Sequence, residues 1–162
     1  MVQVAVIGAA WNDPEFDRLA ESVGRLLAGA GAVLVCGGMG GVMESACRGA
    51  KGAGGTTVGI LPDTGNGNPY LDIVIRTGLG HARNILVAQS GDAVIAIGGN
   101  HGTLSEIAIA LKTGRRVFGL RTWDIDGVVA CGSPEEAVQG AVAACHVQLG
   151  QNSGSSGPRN RD

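Results

Sequence analysis

The chain has 162 residues, and 29 of them are glycine, where average usage of roughly 7% gives about 11. Hydrophobic residues make up 44% and charged residues 16% with no Gly-X-Y period, which excludes a disordered polar chain and a collagen and suits one globular domain. Fourteen acidic against twelve basic residues leave a net charge of −2, and aromatics are only 3%; nucleic-acid or membrane-surface binding driven by bulk electrostatics or base stacking is therefore not expected.

Strand and helix signals alternate along the chain. Val2 to Ile7 is a β-branched run ending at Gly8. Asp13-Pro14 reads as a helix cap with proline at the first helical position. Phe16, Leu19, Ala20, Val23, Leu26 and Leu27 follow at amphipathic spacing. The cycle repeats as strand 32–36, helix 42–53, strand 57–61 and a short strand 73–76. Helix 81–90, strand 93–97, helix 103–113 and strand 117–120 come next. Ser133-Pro134-Glu135-Glu136 opens a last helix with a capping box, reaching about Val147. The 62–69 stretch, PDTGNGNP, is a surface loop, either a lid over a ligand or a connector.

Several strands are continuous apolar runs, as a parallel sheet covered on both faces requires. The expected fold is a single-domain, three-layer, doubly wound (Rossmann-like) α/β protein over residues 1–148, with 149–162 a disordered tail. Cys36, Cys47, Cys131 and Cys145 show no C-x-x-C spacing and are expected to be reduced. No leader or membrane span is expected, and the cytoplasm is the expected compartment.

Two glycine clusters fall at strand-to-helix junctions: Gly37, Gly38, Gly40 and Gly41, then Gly98, Gly99, Asn100, His101, Gly102 and Thr103. Glycine there lets backbone N–H groups approach an anion, and the following helix adds its positive dipole end. Thr103 adds a hydroxyl. These residues are the expected phosphate or nucleotide site, with Gly8, Met43 and Glu44 as accessory positions. The dinucleotide fingerprint is absent: the first turn, Gly8-Ala9-Ala10-Trp11, has one glycine, and Met43 stands where Gly38-x-Gly40 would need a third. A P-loop is absent too. Glu106 and Glu44 sit in first turns, where a carboxylate is favoured. Arg83 starts a helix, where a cation is not, and this points to a partner such as Glu106 or a ligand phosphate. His81 and His101 lack a supporting ligand pattern, so no metal site is expected.

The stretch from Val33 to Pro62, followed by Arg83 and the GGNHGTLSE segment, resembles the LOG-like superfamily. That superfamily includes cytokinin-activating phosphoribohydrolases, often labelled lysine decarboxylases, molybdenum cofactor carrier proteins and more distant DprA-related proteins. The resemblance is closest to its DprA/Smf-related branch and runs from about Val2 to Val142. It implies that Gly99, Gly102 and Thr103 hold a nucleotide phosphate while Arg83 and Glu106 serve the N-glycosidic bond as catalytic residues. It also implies a homodimer or homotetramer, with no required cofactor beyond a bound nucleotide or molybdenum cofactor. Against the hydrolase pattern P-G-G-x-G-T-x-x-E this chain has Gly98 for proline and Asn100 for the second glycine. Gly80 and Asn84 replace the methionine and lysine of M-x-x-R-K.

Two readings follow. One is hydrolysis of nucleoside 5′-monophosphates to free base and ribose 5-phosphate, supported by the retained Arg83 and Glu106. The other is a non-catalytic carrier or sensor of a phosphorylated ligand such as molybdenum cofactor, supported by the departures. Pyridoxal-dependent lysine decarboxylation is not expected, because the only lysines, Lys51 and Lys112, sit near helix C-termini away from the strand edge.

Overall fold

In the computed structural model of the protein, residues 1–152 are described, with side-chain surroundings through residue 145. The elements are β1 (Gln3–Gly8), α1 (Pro14–Gly29), β2 (Val33–Cys36), α2 (Val42–Gly52), β3 (Thr57–Leu61), β4 (Ile73–Arg76), α3 (Asn84–Ser90), β5 (Ala93–Ile97), α4 (His101–Lys112), β6 (Arg116–Leu120), β7 (Val128–Ala130) and α5 (Pro134–Asn152).

Local chemistry sets the helix starts. The Asp13 carboxylate accepts from the N–H groups of Glu15 and Phe16 at 2.9 and 3.2 Å, ahead of Pro14, a cap worth about 1 kcal/mol. At α5 the Ser133 hydroxyl accepts from the Glu136 N–H at 3.2 Å, and the Glu136 carboxylate accepts from the Gly132 N–H at 2.7 Å.

The seven strands form one parallel sheet in the order β4-β3-β2-β1-β5-β6-β7. Alternate residues of the central strands feed opposite cores. Val4, Val6, Leu34, Cys36, Ile95 and Ile97 pack beneath α1, α2 and α5. Ala5, Ile7, Val35, Val94 and Ala96 meet Val87 and Ala88 of α3 and Ile107 and Ala110 of α4. Both faces are covered, which is why the strands lack a polar alternation. The three-layer, doubly wound architecture expected from the sequence is the observed one. From β1 the chain winds outward one way; after β4 it returns to β5 and winds the other way. The crevice beyond the carboxyl ends of β1 and β5 is thus the switch point where such sheets hold ligands.

Part of the glycine surplus serves helix packing. A β-carbon on Gly24 of α1 would stand 1.9 Å from the Ala46 carbonyl oxygen, and one on Gly49 of α2 would stand 2.0 Å from that of Glu21. The two helices touch backbone to backbone at these positions.

The structure departs from the sequence reading at four places. The helix expected at 81–90 begins as a tight 3₁₀ turn, Gly80–Arg83, before α3. α4 begins at His101, two residues early, because the Asn100 side chain caps the His101 N–H at 2.8 Å. A seventh strand, β7, is only three residues long and pairs with β6. α5 continues to Asn152, so 149–152 of the expected tail are helical, and the rest of that expectation lies outside the described residues. The cysteines are free, with Cys36 and Cys47 sulfurs 3.5 Å apart in the core. Among the described residues no helix is long and apolar enough to cross a membrane.

Candidate ligand-binding site

A cleft of about 490 Å³ opens at the switch point. Of the residues expected from the sequence, Gly8, Gly40, Met43, Arg83, Asn100, Gly102, Thr103 and Glu106 line it. Gly37, Gly38, Gly41, Gly98, Gly99, His101 and Glu44 stand outside that lining. The first glycine cluster mostly shapes the turn and backs the cleft. The Gly37 carbonyl accepts a hydrogen bond from Arg83 Nη2 at 3.3 Å. Gly38, with φ +71°, reverses the chain, and its carbonyl accepts from the Asn68 N–H at 2.9 Å. The 62–69 loop is therefore fastened to the first cluster. Glu44 faces a separate depression of about 360 Å³ shared with Asp63 and Asn68.

Of the second cluster, Asn100, Gly102 and Thr103 line the cleft, and Gly98 and Gly99 form the turn that leads to them. Gly98 and Gly99 take φ values of +54° and +105°, a left-handed region that disfavours any residue with a β-carbon. A β-carbon on Gly99 would also lie 2.2 Å from the Thr103 hydroxyl oxygen. α4 starts immediately after, with Thr103 buried at 3% exposure and its position on the cleft wall. The Asn100 side chain and carbonyl engage the N–H groups of His101 and Leu104. Those of Gly102 and Thr103 have no acceptor among the described residues, so two N–H groups at a positive helix end remain free for an anion.

One turn further along α4, Glu106 is 7% exposed and Arg83 8%. Arg83 Nη1 lies 3.6 Å from Glu106 Oε1, an ion pair without a tight hydrogen bond. Arg83 Nη1 donates to Asn84 Oδ1 at 2.8 Å, Asn84 Nδ2 donates to Ser105 Oγ at 3.2 Å, and Ser105 Oγ donates to the Gly102 carbonyl at 2.7 Å. This chain of bonds ties the arginine to the Gly98–Thr103 loop. Arg83 Nε is buried without a partner.

Burial pushes the Glu106 carboxyl up to about 7, against the opposing pull of the Arg83 charge. Burial likewise lowers the affinity of the Arg83 guanidinium for its proton, partly offset by Glu106. A carboxyl balanced near neutrality inside a cleft can accept or return a proton. Among the described residues no group of His, Cys, Asp and Glu is placed to hold a metal ion.

The cleft also takes in Ala10, Trp11, Met39, Pro62, Gly80, His81 and Asn84, which sequence reasoning did not assign to it. Asn84 was visible only as a departure from a motif. Its role in spacing Arg83 from Ser105 depends on how α3 packs on α4.

Fold and cleft together define a doubly wound α/β protein with a glycine-rich strand-to-helix loop at the switch point and a buried Arg/Glu pair beside it. The chain belongs to the SLOG cluster4 family, whose model matches residues 1–148. A protein from Archaeoglobus fulgidus is 47% identical over 146 residues, covering 89% of this chain and 97% of that one. The molybdenum cofactor carrier protein of Chlamydomonas reinhardtii superimposes with a TM-score of 0.83 at 33% identity, covering 90% of this chain and 99% of that one. The cytokinin riboside 5′-monophosphate phosphoribohydrolase of Rhodococcoides fascians is 36% identical over 98 residues, 57% of this chain and 50% of the hydrolase. The LOG-like kinship read from the motifs is thus shown.

Proposed function

We propose that the protein binds a phosphorylated small molecule, with the phosphate on the Gly98–Thr103 loop, and hydrolyses the N-glycosidic bond of nucleoside 5′-monophosphates. The observation that carries this reading is Glu106, buried, raised to about 7 and facing the same cleft as Thr103. Thr103 and Glu106 are three residues apart on one helical face, so a single turn of about 5 Å separates them. That span is on the scale of the distance between a 5′-phosphate and the anomeric carbon.

In this reading water attacks the anomeric carbon as the bond to the base nitrogen breaks. Ionised Glu106 takes the water proton, stabilises the oxocarbenium-like ribose and returns the proton to the departing base. Arg83, held by Gly37 and Asn84, keeps the carboxylate oriented. The products are free base and ribose 5-phosphate. Incubation with AMP and related monophosphates tests this: base release that Glu106→Gln abolishes is the expected result, and binding without release at high protein concentration overturns it.

A second reading is a non-catalytic carrier of a phosphorylated cofactor such as molybdenum cofactor. It is favoured by the likeness to the Chlamydomonas carrier along nearly the full length of both chains. The position of Asn100 agrees with it: where the hydrolase pattern has glycine, this side chain is spent on capping α4. Self-association as a dimer or tetramer belongs to both readings. Exposed Ile73 and Ile75 on edge strand β4, with Ile85 and Leu86 on α3, are consistent with it, and light scattering measures it.

A further inference from the structure

The Gly98–Thr103 loop has an opening on each side. Asn100, Gly102 and Thr103 face the cleft that holds Arg83 and Glu106. Gly98 and Gly99 face a second opening of about 470 Å³, whose other walls include Trp11, Phe16 and Trp123. Trp11 borders both. The two spaces are nearly equal in volume and adjoin one anion-binding loop.

Composition makes the second opening unusual. The whole chain holds five aromatic residues, namely two tryptophans, two phenylalanines and one tyrosine, and three of them line this one opening. Core packing does not account for the tryptophans, since Trp11 is 47% and Trp123 36% exposed. A protein this poor in aromatics has placed both of its largest apolar surfaces in water beside a phosphate-type loop.

The segment that carries Trp123 is held in a fixed shape. Arg121 has φ +49° and is the one non-glycine residue with a positive φ among the described residues, a conformation that concentrates at ligand sites. Its Nε lies 2.8 Å from Glu15 Oε1 at the start of α1. The Thr122 hydroxyl donates to the Gly98 carbonyl at 2.6 Å, fastening the segment to the glycine loop itself. The rings of Trp123 and His101 lie with centroids 6.3 Å apart and planes inclined by 34°.

We infer that this opening is a stacking subsite for a nucleobase, and that the protein accepts a two-armed ligand of the dinucleotide class. Its central phosphates lie on the Gly98–Thr103 loop, one nucleoside enters the cleft of Arg83 and Glu106, and the second base stacks on Trp11 and Trp123. The inference rests on the phosphate site proposed above but goes beyond a mononucleotide ligand. Asp124 at the rim offers acceptor oxygens to the edge of a stacked base.

Calorimetric titration with AMP, ADP and diadenosine diphosphate tests it, with ADP controlling for the added phosphate charge. The dinucleotide is expected to bind at least tenfold more tightly than either mononucleotide and to quench the fluorescence of the chain's two tryptophans. Trp123→Ala is expected to remove that gain and leave AMP affinity unchanged, while Trp123→Phe keeps most of it. Equal affinities for all three ligands, or a Trp123→Ala loss shared by AMP, overturn the inference and leave the mononucleotide reading standing. Dinucleotide binding that needs Trp123, with no AMP binding at all, supports the inference and sinks the mononucleotide reading. A change in molecular mass by light scattering in Trp123→Ala, with dinucleotide affinity unaltered, marks the opening as a contact between copies and also overturns it.

Discussion

A β-carbon on Gly37 would stand 2.7 Å from both terminal guanidinium nitrogens of Arg83. The first residue after β2 is therefore bare so that the arginine can lie against the backbone and donate to its carbonyl. This gives the first glycine cluster a task other than cradling phosphate: it seats the cation that faces Glu106. Gly37→Ala is expected to push Arg83 out of register with Glu106. Because the colliding atoms end a flexible side chain, the stability cost should be modest, about 1–2 kcal/mol. AMP binding or turnover should fall at least tenfold. In an Arg83→Ala background the same substitution should change little, and a double-mutant cycle by calorimetry measures that coupling. Additive effects would mean that Gly37 serves something other than the arginine.

The Glu106 carboxyl makes stability, and the proposed hydrolysis, depend on pH. Its folded-state value, about 7, is above its ordinary value of 4.5, so between those values the folded protein binds a proton that the unfolded chain releases. The associated stability is fully present below pH 4.5 and is lost as pH rises through 7. The difference corresponds to on the order of 3 kcal/mol. Urea unfolding at pH 5 and pH 8 should show wild type weaker at pH 8 and Glu106→Gln nearly flat over the same interval. The proposed hydrolysis needs the ionised form, so kcat/KM for AMP is expected to rise with pH through an apparent value near 7. A wild-type stability that climbs from pH 5 to pH 8 would place the carboxylate in a far more favourable environment than the cleft provides.

Packing of α1 on α2 yields a prediction about the fold alone. A β-carbon on Gly24 would meet a backbone carbonyl at 1.9 Å, and backbone cannot swing aside. Gly24→Ala is expected to cost at least about 2 kcal/mol despite the helix-favouring change. Gly52 ends α2 with open space around its α-carbon, so Gly52→Ala should be neutral or stabilising by up to about 1 kcal/mol. Thermal melts of the two variants compare the same chemical change in two settings. Equal melting temperatures would mean that the helices separate at no cost.

Local signals made most of this fold legible. Asp13-Pro14 and Ser133 through Glu136 carry their helix caps in adjacent residues, and buried strands such as Ala93–Ile97 declare themselves as apolar runs. The candidate pair Arg83 and Glu106 was legible for a similar reason: a cation at a helix start is locally misplaced and needs a partner. β7 was not legible, since three residues paired to β6 carry no period of their own. Nor was the contact of Gly24 with α2, because the neighbour that forbids a side chain there is 22 residues away in sequence. The opening between Trp11 and Trp123 joins the segments that follow β1 and β6, which lie far apart in sequence and meet only because the sheet sets those strands two places apart. Asn100 looked like a damaged motif position; with the α4 cap in view it is a residue with a local job.

Thr103 supplies the most direct test of where the phosphate sits. Its side chain is buried on the cleft wall at the first turn of α4, one residue past the free N–H of Gly102. Thr103→Val keeps the shape and removes only the hydroxyl, so stability should change by less than about 1 kcal/mol. A hydrogen bond to a charged phosphate contributes roughly 1.5–3 kcal/mol, and AMP affinity should accordingly fall by about tenfold or more. Gly99→Ala is the harsher companion, because its β-carbon would collide with this same hydroxyl at 2.2 Å while φ stands at +105°. It should lose both phosphate binding and stability, the latter by about 2 kcal/mol or more. Inorganic phosphate used as the titrant isolates the anion site from any ring contact. Wild-type phosphate affinity in Thr103→Val, together with wild-type AMP affinity, would move the phosphate off this loop and toward the N-terminus of α2.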